Sequence, residues 1–354
     1  MTAIPEKMRA IVAVGPDDYG IQTIDVPKPG PGEVLCRIRA CAICGSDVGL
    51  YEGRFHKSKG WPKKYPFIFG HEWSGEVVAL GEGSGRFQVG DRVTGEGHCG
   101  CGYCENCRKG NYTLCLNYGK ENHRQYGFMA NGAYCEYEVY RERALTKMPD
   151  NVNFLEATLC DTAGAALHAN RMADVNSSDV VVIYGPGPIG NTAMQFAKIK
   201  GAFTIVVGRG ARLQLAKECG ADLVFDYEKC IPEEEIRKYT RGIGASVVMD
   251  CAGSDKAIRD CFRVAAKNAR IVFVAMPKNP EVALPIDQIN LDQLHIHGSR
   301  GNPNCSAEVL DHISRGQLNW EKLITHRFPL EQMREALDTF KNKKDGAMKV
   351  VIEI

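Results

Sequence analysis

Apolar residues along this chain follow two different rhythms. Up to about Asp150 they come as short runs broken by Gly and Pro, and residues 34–40, 73–79, 92–93 and 134–139 read as brief strands between turns. From about Val180 the pattern changes. Val180–Tyr184 is an unbroken apolar run, 191–200 has helical spacing, 204–207 is apolar again, and 212–219 is helical before Gly220. The alternation continues through 223–225, 233–240, 246–250, 257–266 and 270–275. Parallel neighbours need a long crossover, usually a helix, so this half predicts a doubly wound parallel sheet, and the first half predicts an all-β part. Beyond Arg300 the spacing predicts helices over 306–315 and 330–342 and a last strand over 348–354.

Composition narrows the function. A chain of 354 residues suits two hydrophobic cores. Its 44 Lys and Arg against 43 Asp and Glu leave a net charge of +1, which favours neither nucleic acid nor an anionic membrane. No apolar run approaches the ~20 residues that span a bilayer, and nothing behind the charged N-terminus resembles a secretory signal, so a soluble, cytoplasmic protein is expected. Fifteen cysteines in that reducing setting point to metal ligation rather than disulfides.

Spacing picks out the cysteines that matter. Cys101, Cys104, Cys107 and Cys115 follow Cys-x-x-Cys-x-x-Cys with the fourth seven residues on. One looping segment can present three thiolates and a fourth close the cage, a saturated and therefore structural zinc site. An iron–sulfur centre or a disulfide cluster is the alternative, and Cys99 is read as a bystander.

Gly185, Gly187 and Gly190 form GxGxxG, with Pro188 and Ile189 before the last glycine, between the Val180–Tyr184 run and a helix expected from Asn191. In that context the turn, the close approach to a pyrophosphate and the helix N-terminus make a dinucleotide site of the Rossmann kind. At the end of the next strand, where an acid would bind both ribose hydroxyls of NAD, stands Gly208, followed by Arg209 and Arg212. Arginine suits a 2′-phosphate, so NADP is favoured; solvated arginines with NAD held through the backbone are the alternative.

Cys44 and His71 are candidates for an open catalytic zinc, although singly each has an ordinary explanation as a core residue. Together with their surroundings they resemble a known family. Gly70-His71-Glu72, Gly75, Gly81, Val89-Gly90-Asp91-Arg92-Val93, the cysteine lobe and the 185–190 loop are similar, in this order, to the zinc-containing medium-chain dehydrogenases. Cys44-Gly45-Ser46-Asp47-Val48 and residues 324–330 resemble the polyol branch, and Asp161, seven residues before His168, resembles the secondary-alcohol branch.

The resemblance implies a GroES-like β domain over 1–158, rejoined by 297–354, and a Rossmann domain over 159–296, with the active site in the cleft between them. It implies a catalytic zinc on Cys44, His71 and Asp161, with Glu72 close behind or exchanging and Cys160 as the rival of Asp161. Dimers and tetramers are both usual for the family. The chain departs from the family pattern at Gly49, where a relay histidine is common.

On this reading zinc polarises a secondary hydroxyl and hydride passes to the nicotinamide, reversibly, while Ser46, with the cofactor ribose, Tyr51 or water, handles the proton. Tyr51, Glu52 and Arg300 are candidate contacts for further hydroxyls, which favours a sugar alcohol. A simple secondary alcohol, an amino-alcohol, or a quinone or enone reduction without the catalytic zinc are the alternatives within the fold. A zinc-module sensor contacting nucleic acid would need a basic stripe that residues 101–115 lack.

Overall fold

A computed structural model describes residues 4–120, 122–277, 279 and 281–354. The chain forms two compact units. One takes it as far as Asp161 and adds Ser306–Gly316 and Leu323–Ile354; the other is Thr162–Cys305 with Gln317–Lys322. The expected boundaries at 158/159 and 296/297 stand beside breaks at 161/162 and 305/306.

The first unit is organised around the strand Glu33–Ala42, which is buried along most of its length and pairs antiparallel with Glu72–Leu80, Tyr137–Arg141 and Lys349–Glu353. Its sheet continues to Ile324–Pro329 on one side and to Arg92–Gly95 and Leu145–Lys147 on the other. A separate antiparallel pair, Lys7–Gly15 with Asp18–Asp25, lies outside what the apolar pattern anticipated. Large aromatics fill the core, with Trp73 stacked on Tyr140 at 4.2 Å between ring centroids. This is the GroES-like β fold.

Glu138 is one of the charged side chains buried in this sheet. Glu138 accepts a hydrogen bond from the Val139 N–H at 2.8 Å, yet burial, with Glu33 adding to it, pushes its carboxyl up to about 8. Below the ordinary value of 4.5 both folded and unfolded chains hold this proton; between 4.5 and about 8 only the folded chain does. Stability attributable to Glu138 is therefore highest below 4.5 and declines as pH rises to about 8. Glu138→Gln is expected to flatten that decline, by up to about 1.4 kcal/mol per pH unit in the window. Melting temperatures of both proteins from pH 5 to 9 check it; parallel curves would refute it.

In the second unit six strands run parallel in the order Leu223–Asp226, Phe203–Gly208, Val180–Tyr184, Ala245–Asp250, Ala265–Phe273, His295–Gly298. Strand order reverses beside Val180–Tyr184, the switch point at which doubly wound sheets hold their ligands. The helix after that strand is Pro188–Ile199 rather than one beginning near Asn191. Proline is preset for a first helical position, so the helix starts at once behind Gly187, and Gly190 falls inside its first turn. Helix Cys160–Met172 was not anticipated, because its many small residues leave a weak apolar stripe. Among the described residues no helix is long and apolar enough to cross a membrane.

Candidate active site

Cys44 caps the short helix Gly45–Tyr51, with extended backbone (φ −97°, ψ 157°). Asp47 fixes that turn: its Oδ2 accepts from the Cys44 N–H at 2.9 Å and from the Tyr134 hydroxyl at 2.8 Å. Glu72 opens the strand Glu72–Leu80 with His71 just before it, and both are buried. The ligand atoms of Cys44, His71 and Glu72 all lie within 4.8 Å of one another. His71 Nδ1 faces Asp47 Oδ1 at 3.5 Å, which orients the ring. Burial works against a proton on this imidazole, but Asp47 and Cys44 raise its pKa well above the ordinary value.

Behind Glu72 stands a fully buried lysine. Lys349 Nζ contacts Glu72 Oε2 and donates to the Ile43 carbonyl at 3.2 Å. Burial opposes its charge, yet Glu72, Cys44 and Asp161 raise its pKa above the usual lysine value. A thiol, an imidazole and a carboxylate converging in a site this rich in negative charge are the donor set of a divalent zinc. Two residues after Cys44, the Ser46 hydroxyl is buried without a hydrogen-bond partner.

The cysteine lobe forms a second cluster. Cys101, Cys104, Cys107 and Cys115 also lie with all four sulfurs inside 4.8 Å. The Cys101–Cys107 and Cys104–Cys115 separations are 3.9 Å, close to the edge of about 3.8 Å for a tetrahedron of Zn–S bonds and far from a disulfide. Backbone N–H groups of Cys104 and Asn117 point at Cys101 and Cys115 sulfurs at 3.4 Å, as thiolates require. Burial alone would raise the Cys101 thiol; donors from Asn117 and the backbone bring it down to about 6. Cys99 stands apart, its sulfur accepting from Arg143 Nε at 3.2 Å.

At the switch point Gly185 has φ +100°, and a β-carbon at Gly190 would fall 1.9 Å from the Gly185 carbonyl oxygen. Only glycine lets this helix close on this strand. Residues 30–150 match the alcohol dehydrogenase GroES-like domain and 188–315 the zinc-binding dehydrogenase domain. A sorbitol dehydrogenase of Halalkalibacterium halodurans is 31% identical over 353 residues, covering 98% of this chain and 99% of that one.

The chain belongs to the zinc-binding alcohol dehydrogenase family.

Other relatives include an L-threonine 3-dehydrogenase of Symbiobacterium thermophilum, 32% identical with 99% of each chain covered. Among solved structures, a zinc-binding dehydrogenase of Sinorhizobium meliloti bound to NADP has a TM-score of 0.90 at 26% identity, covering 99% of this chain and 100% of that one. An Escherichia coli alcohol dehydrogenase complexed with NADH has a TM-score of 0.90 at 29% identity, with the same coverage. This dehydrogenase is thus an oxidoreductase of alcohols.

Within the dehydrogenase, the expected residues divide. Cys44, His71 and Glu72 come together; Asp161, in the first turn of Cys160–Met172, falls outside that set, although its charge is felt by Lys349 and Glu96. Its rival Cys160 is buried and donates to the Ser306 carbonyl at 3.4 Å. Tyr51 is a correction: instead of offering its phenol to a substrate or a proton relay, it is packed in the core among Tyr19, Phe69 and Tyr134. A tyrosine beside a motif gives no sign of which way it faces. Arg300 is exposed in the second unit.

Gly208 has a physical reason: a β-carbon there would lie 2.3 Å from Pro186 Cδ, so the loop leaves no room for an acid. Arg209 lies 5.7 Å from the Tyr227 ring centroid and pairs with Glu228, both partners more than half exposed. Arg212 is partly buried in the first turn of Gly210–Glu218. Sequence reasoning missed Asp47 as the partner of His71, and Lys349. The available signal for the latter was a single cation in the otherwise apolar run 347–352.

Proposed function

We propose that this dehydrogenase oxidises a secondary hydroxyl of a polyol with NADP, reversibly, using one catalytic and one structural zinc per chain. The convergence of Cys44, His71 and Glu72, with the unpartnered Ser46 hydroxyl two residues after Cys44, carries this reading. These three residues would hold the catalytic ion, with Asp161 the carboxylate able to replace Glu72, and the four cysteines the structural one. Zinc held there would supply Lewis-acid polarisation of the substrate oxygen, and the dinucleotide would supply the hydride acceptor.

The chain's own groups do the rest. Asp47 holds the imidazole of His71 in place, and Lys349 restrains Glu72. Ser46 Oγ, which no protein group engages, would relay the proton, taking it from the substrate hydroxyl as its own O–H proton passes to the cofactor ribose or to water. Donors gathered this closely favour zinc-dependent alcohol chemistry over quinone reduction by a fold lacking the ion. The polyol assignment draws on relatives named for sorbitol and for erythritol and L-threitol.

Gly185, Gly187, Pro188, Ile189 and Gly190 would carry the pyrophosphate. Arg209, against Tyr227, would meet a 2′-phosphate with Arg212 nearby, and Gly208 excludes the carboxylate that NAD favours. The dehydrogenase would act in the cytoplasm, where its fifteen unpaired cysteines stay reduced. It would work as a homodimer or homotetramer: edge strand His295–Gly298 carries no lysine or proline to blunt it, and Leu291 and Ile286 are 83% and 60% exposed.

Oxidation of purified, zinc-replete protein should be measured on simple secondary alcohols and C4 to C6 polyols, with NAD and NADP in parallel. A polyol should be preferred, and NADP should exceed NAD in kcat/KM by more than about tenfold, 1.4 kcal/mol. Equal use of NAD would remove the arginine argument, and inactivity on every alcohol would remove the function.

A further inference from the structure

Where the family's relay histidine is common, the dehydrogenase has Gly49, and the space is taken. A β-carbon there would lie 2.7 Å from Phe55 Cε2 and 3.3 Å from an Arg54 terminal nitrogen. Both come from the short helix Arg54–Lys59. From Phe55 a chain of rings runs back to the metal-ligand cluster. Phe55 and Trp61 are 6.3 Å apart, Trp61 meets Phe128 edge-on at 5.9 Å, and Phe128 lies 4.8 Å from His71.

The same segment is strongly basic. Residues 54–64 contain Arg54, Lys57, Lys59, Lys63 and Lys64 with His56 and no acidic residue, in a chain whose total charge is +1. Lys63 ties the segment down by donating to the Gly119 carbonyl at 2.5 Å. Arg54 pairs with Glu52 at 2.7 Å, but Lys341 claims that same carboxylate at 2.6 Å, so one carboxylate serves two cations. Among the described residues, Lys57, Lys59 and Lys64 form no ion pair, and all are exposed. An excess of positive charge fixed beside an aromatic wall, itself against a metal ligand, calls for a substrate with a carbon chain and a compact dianion.

We propose that the segment from Arg54 to Lys64 recognises the phosphate of a phosphorylated polyol, whose carbon chain lies along Phe55, Trp61 and Phe128. This rests on reading the Cys44–His71 centre as the polyol-oxidising site, and it narrows the substrate class. A phosphate monoester carries about −1.5 to −2 charge at neutral pH, so a guanidinium and clustered ammonium groups both hold it and speed its capture. The apolar rings meet the C–H faces of the chain and leave its reacting hydroxyl turned to the metal side.

The test pairs D-arabitol with D-arabitol 5-phosphate, and D-sorbitol with D-sorbitol 6-phosphate, on the zinc-loaded full chain. The phosphorylated member of a pair should have the higher kcat/KM by about tenfold or more, and the ratio should fall as salt is raised. In a K57Q/K59Q/K64Q variant, and in R54Q, that ratio should drop at least about fivefold. Equal use of the two members, or a ratio indifferent to these substitutions, overturns the proposal while leaving polyol oxidation standing. Should neither member be oxidised, calorimetric binding of D-arabitol 5-phosphate decides: binding weakened in the triple variant supports the proposal, and absent or unchanged binding overturns it.

Discussion

His71→Ala is expected to leave one zinc per chain and to lower kcat/KM for alcohol oxidation at least about a thousandfold, about 4 kcal/mol of transition-state stabilisation. The imidazole is one of three converging donors, and Asp47 and Glu72 cannot take its place. Asp47 is fixed by the Cys44 N–H and the Tyr134 hydroxyl, and Glu72 by Lys349. Ser46→Ala offers the contrast: zinc content should stay at two, with turnover lower by about ten- to a hundredfold and most depressed at low pH. Metal analysis with steady-state kinetics on both variants checks the pair. Two retained zincs and normal turnover in His71→Ala would end the reading of this cluster.

Cys104→Ser is expected to act differently. Zinc on four soft donors at tetrahedral spacing would be bound with energy that belongs to folding, so loss of one donor should release the second zinc and destabilise the first unit by several kcal/mol. Activity should fall as well, although no cysteine of the lobe belongs to the Cys44–His71–Glu72 cluster. Tyr112, between Cys107 and Cys115, donates to Glu96, which also accepts from Ser306 at 2.6 Å and sits in the field of Asp161. Release of Tyr112 would leave that buried carboxyl short of a donor. Thermal unfolding and zinc stoichiometry of Cys104→Ser measure the effect; an unchanged melting temperature with two zincs bound would contradict it.

Much of this was legible because it is local. Strands such as Val180–Tyr184 are buried on both faces and so read as unbroken apolar runs; the cysteine lobe and the glycine loop are spacings within one segment. What escaped depends on partners far away in sequence. Glu72 or Asp161 as third donor, Asp47 as support for His71, and Lys349 against Glu72 are decided by how remote strands register, with 277 residues separating the last pair. Tyr51 and the helix Cys160–Met172 escaped for another reason: a phenol and a run of small residues suit a core as well as a surface. Strands His295–Gly298 and Ile324–Pro329 are mixed in polarity and lie at sheet edges, where the period-2 signal fades.

Strand Lys349–Glu353 pairs with Glu33–Ala42, and the whole second unit is made between them. During synthesis from the N-terminus, Tyr137–Arg141 covers residues 33–37, but residues 40–42 wait with an open flank while some three hundred later residues emerge. The parallel sheet can be complete before the β domain receives its final strand, and with it the lysine that restrains Glu72. Newborn chains thus pass through a stage with one finished half and one sticky, unfinished half, which is when holding factors and a ready supply of metal matter most.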